Sequence, residues 1–221
     1  MPYNDLYFPK LKRRSNYSSF RKYNEYRQEI REDCCGRCVY CDAHENEIGG
    51  VESMTLDHFR PKDKYKHLTH DPSNLVWACH ICNQLKGNLW PAYGHDNGHY
   101  EVTFINEKGF IDPFSEDIAD FMELSPDGQL KALKDPALYI ISFLKLNRIG
   151  VRKIRENRRN KYERRQEYEI YYAQAVRSID SFLQNPLLSE EEKKQLLVDK
   201  ERLKQQYKLM LENSEQDLNL H

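Results

Sequence analysis

Cys38 and Cys41 form one Cys-x-x-Cys pair, and Cys79 and Cys82 form a second. Each pair turns tightly enough to present two sulfurs to one ion, so four thiolates at this spacing suit a single tetrahedral Zn2+. A bare zinc ribbon would keep its pairs closer together. Here the intervening segment is long enough for a hairpin and carries its own polar cluster: Asp57-His58, then Asn74, with Asn83 directly after the last cysteine. The sulfur frame reads as a staple and the polar cluster as the chemistry. The plainer alternatives are four unliganded buried thiols and an Asp-His pair that only caps a turn. Cys34 and Cys35 precede the frame, do not fit its pairing, and are expected as small buried residues. Tyr40, between the first two zinc cysteines, is expected to pack over the zinc turn.

These residues need elements to hold them. Residues 51–56 read as a strand after the Gly49-Gly50 turn, ending at Asp57-His58, where Pro61 prevents simple continuation. Asn74 introduces a second strand over 75–78. Cys79 then opens a short helix that Gly87 ends with a left-handed cap. On that helix Cys79, Cys82, Asn83 and Lys86 follow i, i+3, i+4, i+7 spacing and share one stripe, so the helix can touch the zinc and a second site at once.

The flanking segments divide into an N-terminal arm (1–33), the cysteine-framed core (34–95), a loop and short-strand connection (96–135) and a helical extension (136–221). In the arm Lys10, Lys12, Arg13, Arg14, Arg21, Lys22, Arg27 and Arg31 sit among Tyr17, Phe20, Tyr23 and Tyr26, with a helix expected over 18–31. Two readings fit it, a packing arm with a solvated face or a phosphate-contacting arm. The connection contains alternation over 100–104, exposed His95 and His99, and a Ser125-Pro126-Asp127-Gly128 turn. A first helix follows Pro136 and breaks near Asn147 and Gly150. The second begins near Val151 and carries the densest positive stretch, including Arg152, Arg155 and Arg159, tempered by Glu156 and Glu163. A solvated helix face and a duplex-binding surface fit that stretch equally. Asn185-Pro186 stops it, and Ser189 with Glu192 forms a capping box for a last helix to about 211, giving a helical hairpin. The expected fold class is α+β, a small core inside a mainly α-helical protein.

A chain of 221 residues suits one domain with an extension or two small domains. Its 39% hydrophobic and 31% charged content describe a polar chain. The N-terminus lacks the apolar stretch of a signal peptide, and no apolar run reaches membrane length, so no membrane association and a reducing cytoplasm are expected. There, paired cysteines mean metal rather than disulfides. Formal net charge is −1, so any nucleic-acid surface must be local.

The segment from Cys38 to Gly87, with its C-x-x-C, D-H, N, C-x-x-C-N and x-x-K-G in this order, resembles the HNH endonucleases. DCCGRCVYC, DHFRPK, KGNLWP, FIDPFSED and LKLNR also look like one bacterial HNH branch, and the layout is similar to the nuclease subunits of the Septu anti-phage system and to retron-linked nucleases. The resemblance implies a ββα-metal core with a structural four-cysteine zinc site. It implies His58 as general base, Asp57 and Asn83 as ligands of a catalytic Mg2+ or Mn2+, and Asn74 as the residue that orients His58 across the loop. Asn83 stands where many members have histidine; its amide oxygen suits Mg2+. DNA is the implied substrate, RNA not being excluded, with Lys86, Arg60, Lys62, Arg152, Arg155 and Arg159 as candidate contacts. His80 is expected to pack or to touch substrate. The competing functions are a non-catalytic zinc-stapled binding module and a nuclease subunit silent until a partner such as an ATPase docks on its C-terminal helices.

Overall fold

The computed structural model describes residues 7–19, 22–95 and 102–218. Phe20 and Arg21 of the arm, His99 of the loop, and Tyr100 and Glu101 of the alternating segment lie outside the described residues. The protein is α+β, with two-stranded sheets among helices. Contacts divide it into two compact units, Met1–Glu156 and Asn157–His221.

The first unit is organised by an antiparallel hairpin of β1 (Met54–His58) and β2 (Leu75–Cys79), paired from Met54 opposite Cys79 to His58 opposite Leu75. Every residue of β2 is buried, which explains its continuous apolar run. α2 (His80–Lys86) follows without a linker, and Gly87 closes it with φ +51°. Residues 51–53, expected as strand, form a 3-10 turn after Gly50, whose φ of +92° delays the extended chain until Met54. Around the hairpin, Trp90 stacks on Phe110 at 5.7 Å and Phe59 meets Trp90 edge-on at 5.1 Å.

α1 (Arg27–Asp33) is shorter than the helix expected over 18–31 and is preceded by a 3-10 turn, Tyr23–Tyr26. The chain before it is held extended because Tyr17 donates to Asp33 at 2.6 Å and the Ser18 hydroxyl donates to Glu29 at 2.7 Å. The basic side chains of this region act as fasteners. Arg13 donates to the carbonyls of Pro72 and Leu75, and Arg14 pairs with Asp33 at 2.9 Å. Arg27 donates to the Met54 carbonyl while covering the Trp77 ring, and Arg31 grips the buried Glu45. For these four the packing role holds.

The short hairpins β3 (Phe104–Ile105) with β4 (Lys108–Gly109) and β5 (Met122–Leu124) with β6 (Leu130–Ala132) follow. The second encloses the Ser125–Gly128 turn, and Gly128 has φ +76° with its Cα against the Arg152 carbonyl: an added Cβ would come within 2.4 Å of that oxygen. α3 (Ala137–Phe143) is separated from α4 (Ile149–Leu183) by 144–148. In the second unit, the rest of α4 and α5 (Glu190–Leu218) stack Tyr172 on Tyr207 at 4.1 Å and pair Lys200 with Asp180 at 2.5 Å. Ser189 and Glu192 exchange the hydrogen bonds of a capping box, and α5 runs beyond the 211 expected.

Candidate active site and zinc centre

The four cysteine sulfurs lie within 4.8 Å of one another, all buried. Cys41 and Cys79 are 3.9 Å apart, close to the ~3.8 Å edge of a tetrahedron built on Zn–S bonds of ~2.3 Å. Cys38 and Cys41 come from a turn that closes with Asp42 donating to the Cys38 carbonyl at 2.8 Å. Cys79 ends β2 and also caps α2, its sulfur accepting from the Cys82 amide at 3.4 Å. Burial pushes the Cys38 thiol up, while hydrogen bonding from neighbouring thiols, Cys38 first, draws Cys79 down. A divalent cation would supply the charge that lets all four ionise, so the donor set fits zinc. Arg148 reaches this cluster from beyond the core hairpin, its guanidinium 3.7 Å from Cys79 Sγ and 3.5 Å from Cys82 Sγ. Nothing in local spacing signals it.

At the far end of β1 a cleft of about 360 Å3 is lined by Asp57, His58 and Asn83, with Tyr23, Lys62 and Asn88 among its other walls. Asp57 and His58 are successive strand residues, so their side chains diverge. Asp57 Oδ2 accepts from the Tyr40 hydroxyl at 2.6 Å and lies 3.1 Å from Lys86 Nζ. Tyr40 is therefore part of the site rather than only a cover for the zinc turn. Lys86 also donates to the His58 carbonyl at 2.9 Å, and burial lowers its affinity for the proton, partly offset by Asp57.

His58 points the other way. Its Nε2 is 2.9 Å from the Thr69 carbonyl, which can only accept; Nε2 therefore carries the proton, leaving Nδ1 as the lone-pair nitrogen. The Tyr23 ring covers it edge-on at 4.7 Å. Burial holds His58 below its usual range, against the raising effects of Thr69 and Asp57. Asn74 fixes the loop that carries Thr69: its Oδ1 accepts from the Arg60 amide and its Nδ2 donates to the Arg60 carbonyl, both at 2.9 Å. The set can thus hold a neutral imidazole beside hard oxygen donors. Asp57 and Asn83 line the same cleft, and a carboxylate with an amide oxygen is a donor set that would suit a small divalent cation.

Three residues expected to touch nucleic acid are internal instead. Lys86 has no exposed side-chain surface and is spent on Asp57 and the His58 carbonyl. Arg60 is buried, with Phe59 and Trp90 rings 5.6 and 5.5 Å from its guanidinium. Arg155 is buried too, donating to the carbonyls of Gly128 and Leu146. Lys62 stays exposed at the cleft. Arg152 pairs with Asp127 at 2.9 Å, and in the second unit Arg159 pairs with Glu163 at 2.6 Å; both are half-buried. His80 is exposed and its Nε2 donates to the Glu52 carbonyl. Cys34 is buried and accepts from the Trp77 amide, but Cys35 is exposed at φ +53°, because the turn after α1 rotates it outward.

Residues 38–89 match the HNH endonuclease family. A 51-residue stretch is 39% identical to the Septu protein PtuB of Bacillus thuringiensis, covering 23% of this chain and 19% of that protein. The alignment therefore spans about a fifth of the relative's length. The family-level similarity to nucleases is thus confined to residues 38–89. Among the described residues no helix is long and apolar enough to cross a membrane.

Proposed function

We propose that this chain is a metal-dependent endonuclease that hydrolyses phosphodiester bonds in DNA. The observation that carries the reading is the His58 ring, held by Thr69 with Nδ1 as its lone-pair nitrogen, in one cleft with Asp57 and Asn83. His58 Nδ1 takes a proton from water as the oxygen attacks phosphorus in line with the leaving 3′ oxygen. Asn74 keeps the Thr69 carbonyl in place and so keeps the imidazole aimed. Tyr40 and Lys86 hold the Asp57 carboxylate. Asp57 and Asn83 would hold Mg2+ or Mn2+, which when bound supplies stabilisation of negative charge on the transition state and the leaving oxygen. Lys62 at the cleft supplies positive charge for the phosphate chain.

The test is plasmid cleavage by wild type and His58→Ala with EDTA, Mg2+ or Mn2+, with bound zinc measured in each sample. Cleavage that needs added cation and disappears in the variant, with zinc retained, supports the reading. Cleavage that survives in His58→Ala removes it.

A second reading makes the chain a defence nuclease activated by a protein partner such as an ATPase. Its support is the similarity to a Septu protein together with the exposed Ile170, Tyr171, Leu197 and Val198 on the C-terminal helices. Full activity of the isolated, zinc-loaded chain would count against any need for a partner.

A further inference from the structure

The segment 144–148, Leu-Lys-Leu-Asn-Arg, lies outside the family-matched region. Its side chains do three different jobs. Leu144 and Leu146 are fully buried plugs. Asn147 clamps the Leu130 backbone, its Oδ1 accepting from the amide at 2.8 Å and its Nδ2 donating to the carbonyl at 2.9 Å. Arg148 alone crosses to the cysteine cluster, with one nitrogen against both Cys79 and Cys82. Its backbone amide is bound to the Lys145 carbonyl and its other nitrogen to the Leu144 carbonyl, so the side chain leaves a fixed base.

We propose that Arg148 completes the zinc centre from outside, neutralising and shielding the Cys79 and Cys82 thiolates and anchoring the 144–148 segment to the core through them. A zinc ion with four thiolates carries a net charge of −2, and a guanidinium is weakly hydrated enough to face such an anion when half-buried. The placement also has a protective consequence. Cys79 and Arg148 both line a largely apolar cleft of about 490 Å3, together with Ile81, Val151 and Ile154. Small electrophiles that enter it meet Cys79 first, on the side where Arg148 withdraws electron density from the sulfur, with the buried Cys82 behind it. The Arg148 hydrogen bonds go to Cys79 and Cys82, while Cys41 feels its charge without that direct contact. The inference rests on the zinc reading of the four cysteines and is independent of the nuclease chemistry.

The test uses the zinc-loaded full chain as wild type, Arg148→Met, Arg148→Lys and, as a control on the exposed side of α4, Lys153→Met. Zinc content is measured first. Zinc loss to a chromogenic chelator is then timed, and each cysteine is mapped after limited iodoacetamide, in which the sulfur displaces iodide from carbon. Arg148→Met is expected to lose zinc about tenfold faster. Its gain in alkylation should fall on Cys79 and Cys82 and exceed that on Cys38 and Cys41. Arg148→Lys, a point charge without the planar fork, should fall between, and Lys153→Met should match wild type. If Arg148→Met does not fold, the lysine variant decides by the same bias. Unchanged zinc loss, or an equal rise at all four cysteines, would overturn the proposal. Wild type purified without zinc and unable to take it up would instead overturn the zinc reading on which it stands.

Discussion

The ammonium of Lys86 and the carboxylate of Asp57 lie 3.1 Å apart where neither side chain has appreciable access to solvent. Removing one partner of such a pair leaves an uncompensated charge, so Lys86→Met should destabilise the protein by about 3 kcal/mol. Adding Asp57→Asn removes the orphaned charge and should restore much of the loss. Urea unfolding of the single and double variants checks this. Additive losses would mean that the two charges do not sense one another.

Asn74→Ala deletes two buried hydrogen bonds to the Arg60 backbone. The expected cost is about 2 kcal/mol in unfolding free energy. Cleavage should fall about a hundredfold because the loop no longer holds Thr69 against the His58 ring. Zinc content should not change. A variant as active as wild type would separate the clamp from the imidazole it is argued to serve.

The pH response has a defined sign. Burial lowers the His58 pKa from the ordinary 6.5, so the folded protein binds fewer protons there than the unfolded chain. Stability from this group is therefore complete above 6.5 and is lost as pH falls from that value through the lower folded one. Cleavage should likewise rise with pH about a midpoint below 6.5, since the base works when neutral. Urea midpoints and initial rates across this range test both statements. A cleavage midpoint above 6.5 would contradict the assignment of His58 as the base.

Gly128→Ala should cost more than about 1 kcal/mol, since alanine disfavours φ +76° and its Cβ would meet the Arg152 carbonyl. Thermal unfolding reads the effect, while zinc content should be that of wild type. A neutral substitution would show that the turn can retreat from α4.

Much of the site was legible because its signals are local. Two Cys-x-x-Cys pairs at this spacing suit one ion, and the apolar run 75–78 before Cys79 reads as a strand feeding a short helix that Gly87 ends. The Ser189–Glu192 box likewise announces its helix through neighbouring residues. What escaped lies in long-range geometry. The Thr69 carbonyl that sets the His58 tautomer is backbone, with no side-chain signature. Tyr40 and Arg148 act on partners 17 and 66 residues away. Arg60, Lys86 and Arg155 look like solvated charges in the sequence, yet each is buried, and composition cannot distinguish a phosphate contact from an internal ion pair or carbonyl clamp. The β5–β6 hairpin is too short for alternation to reveal it.

Cys79 is at once the last residue of β2, the cap of α2 and a member of the sulfur cluster. The helix bearing Asn83 and Lys86 is thus seated by the same atom that would grip the structural ion. Chelation should consequently run on two clocks. If the proposed nuclease chemistry holds, withdrawal of an oxygen-bound cation should stop turnover at once and be reversed by replenishment. Slow extraction of an ion from the four sulfurs should undo the seat of α2, so recovery after long exposure should require refolding as well as metal.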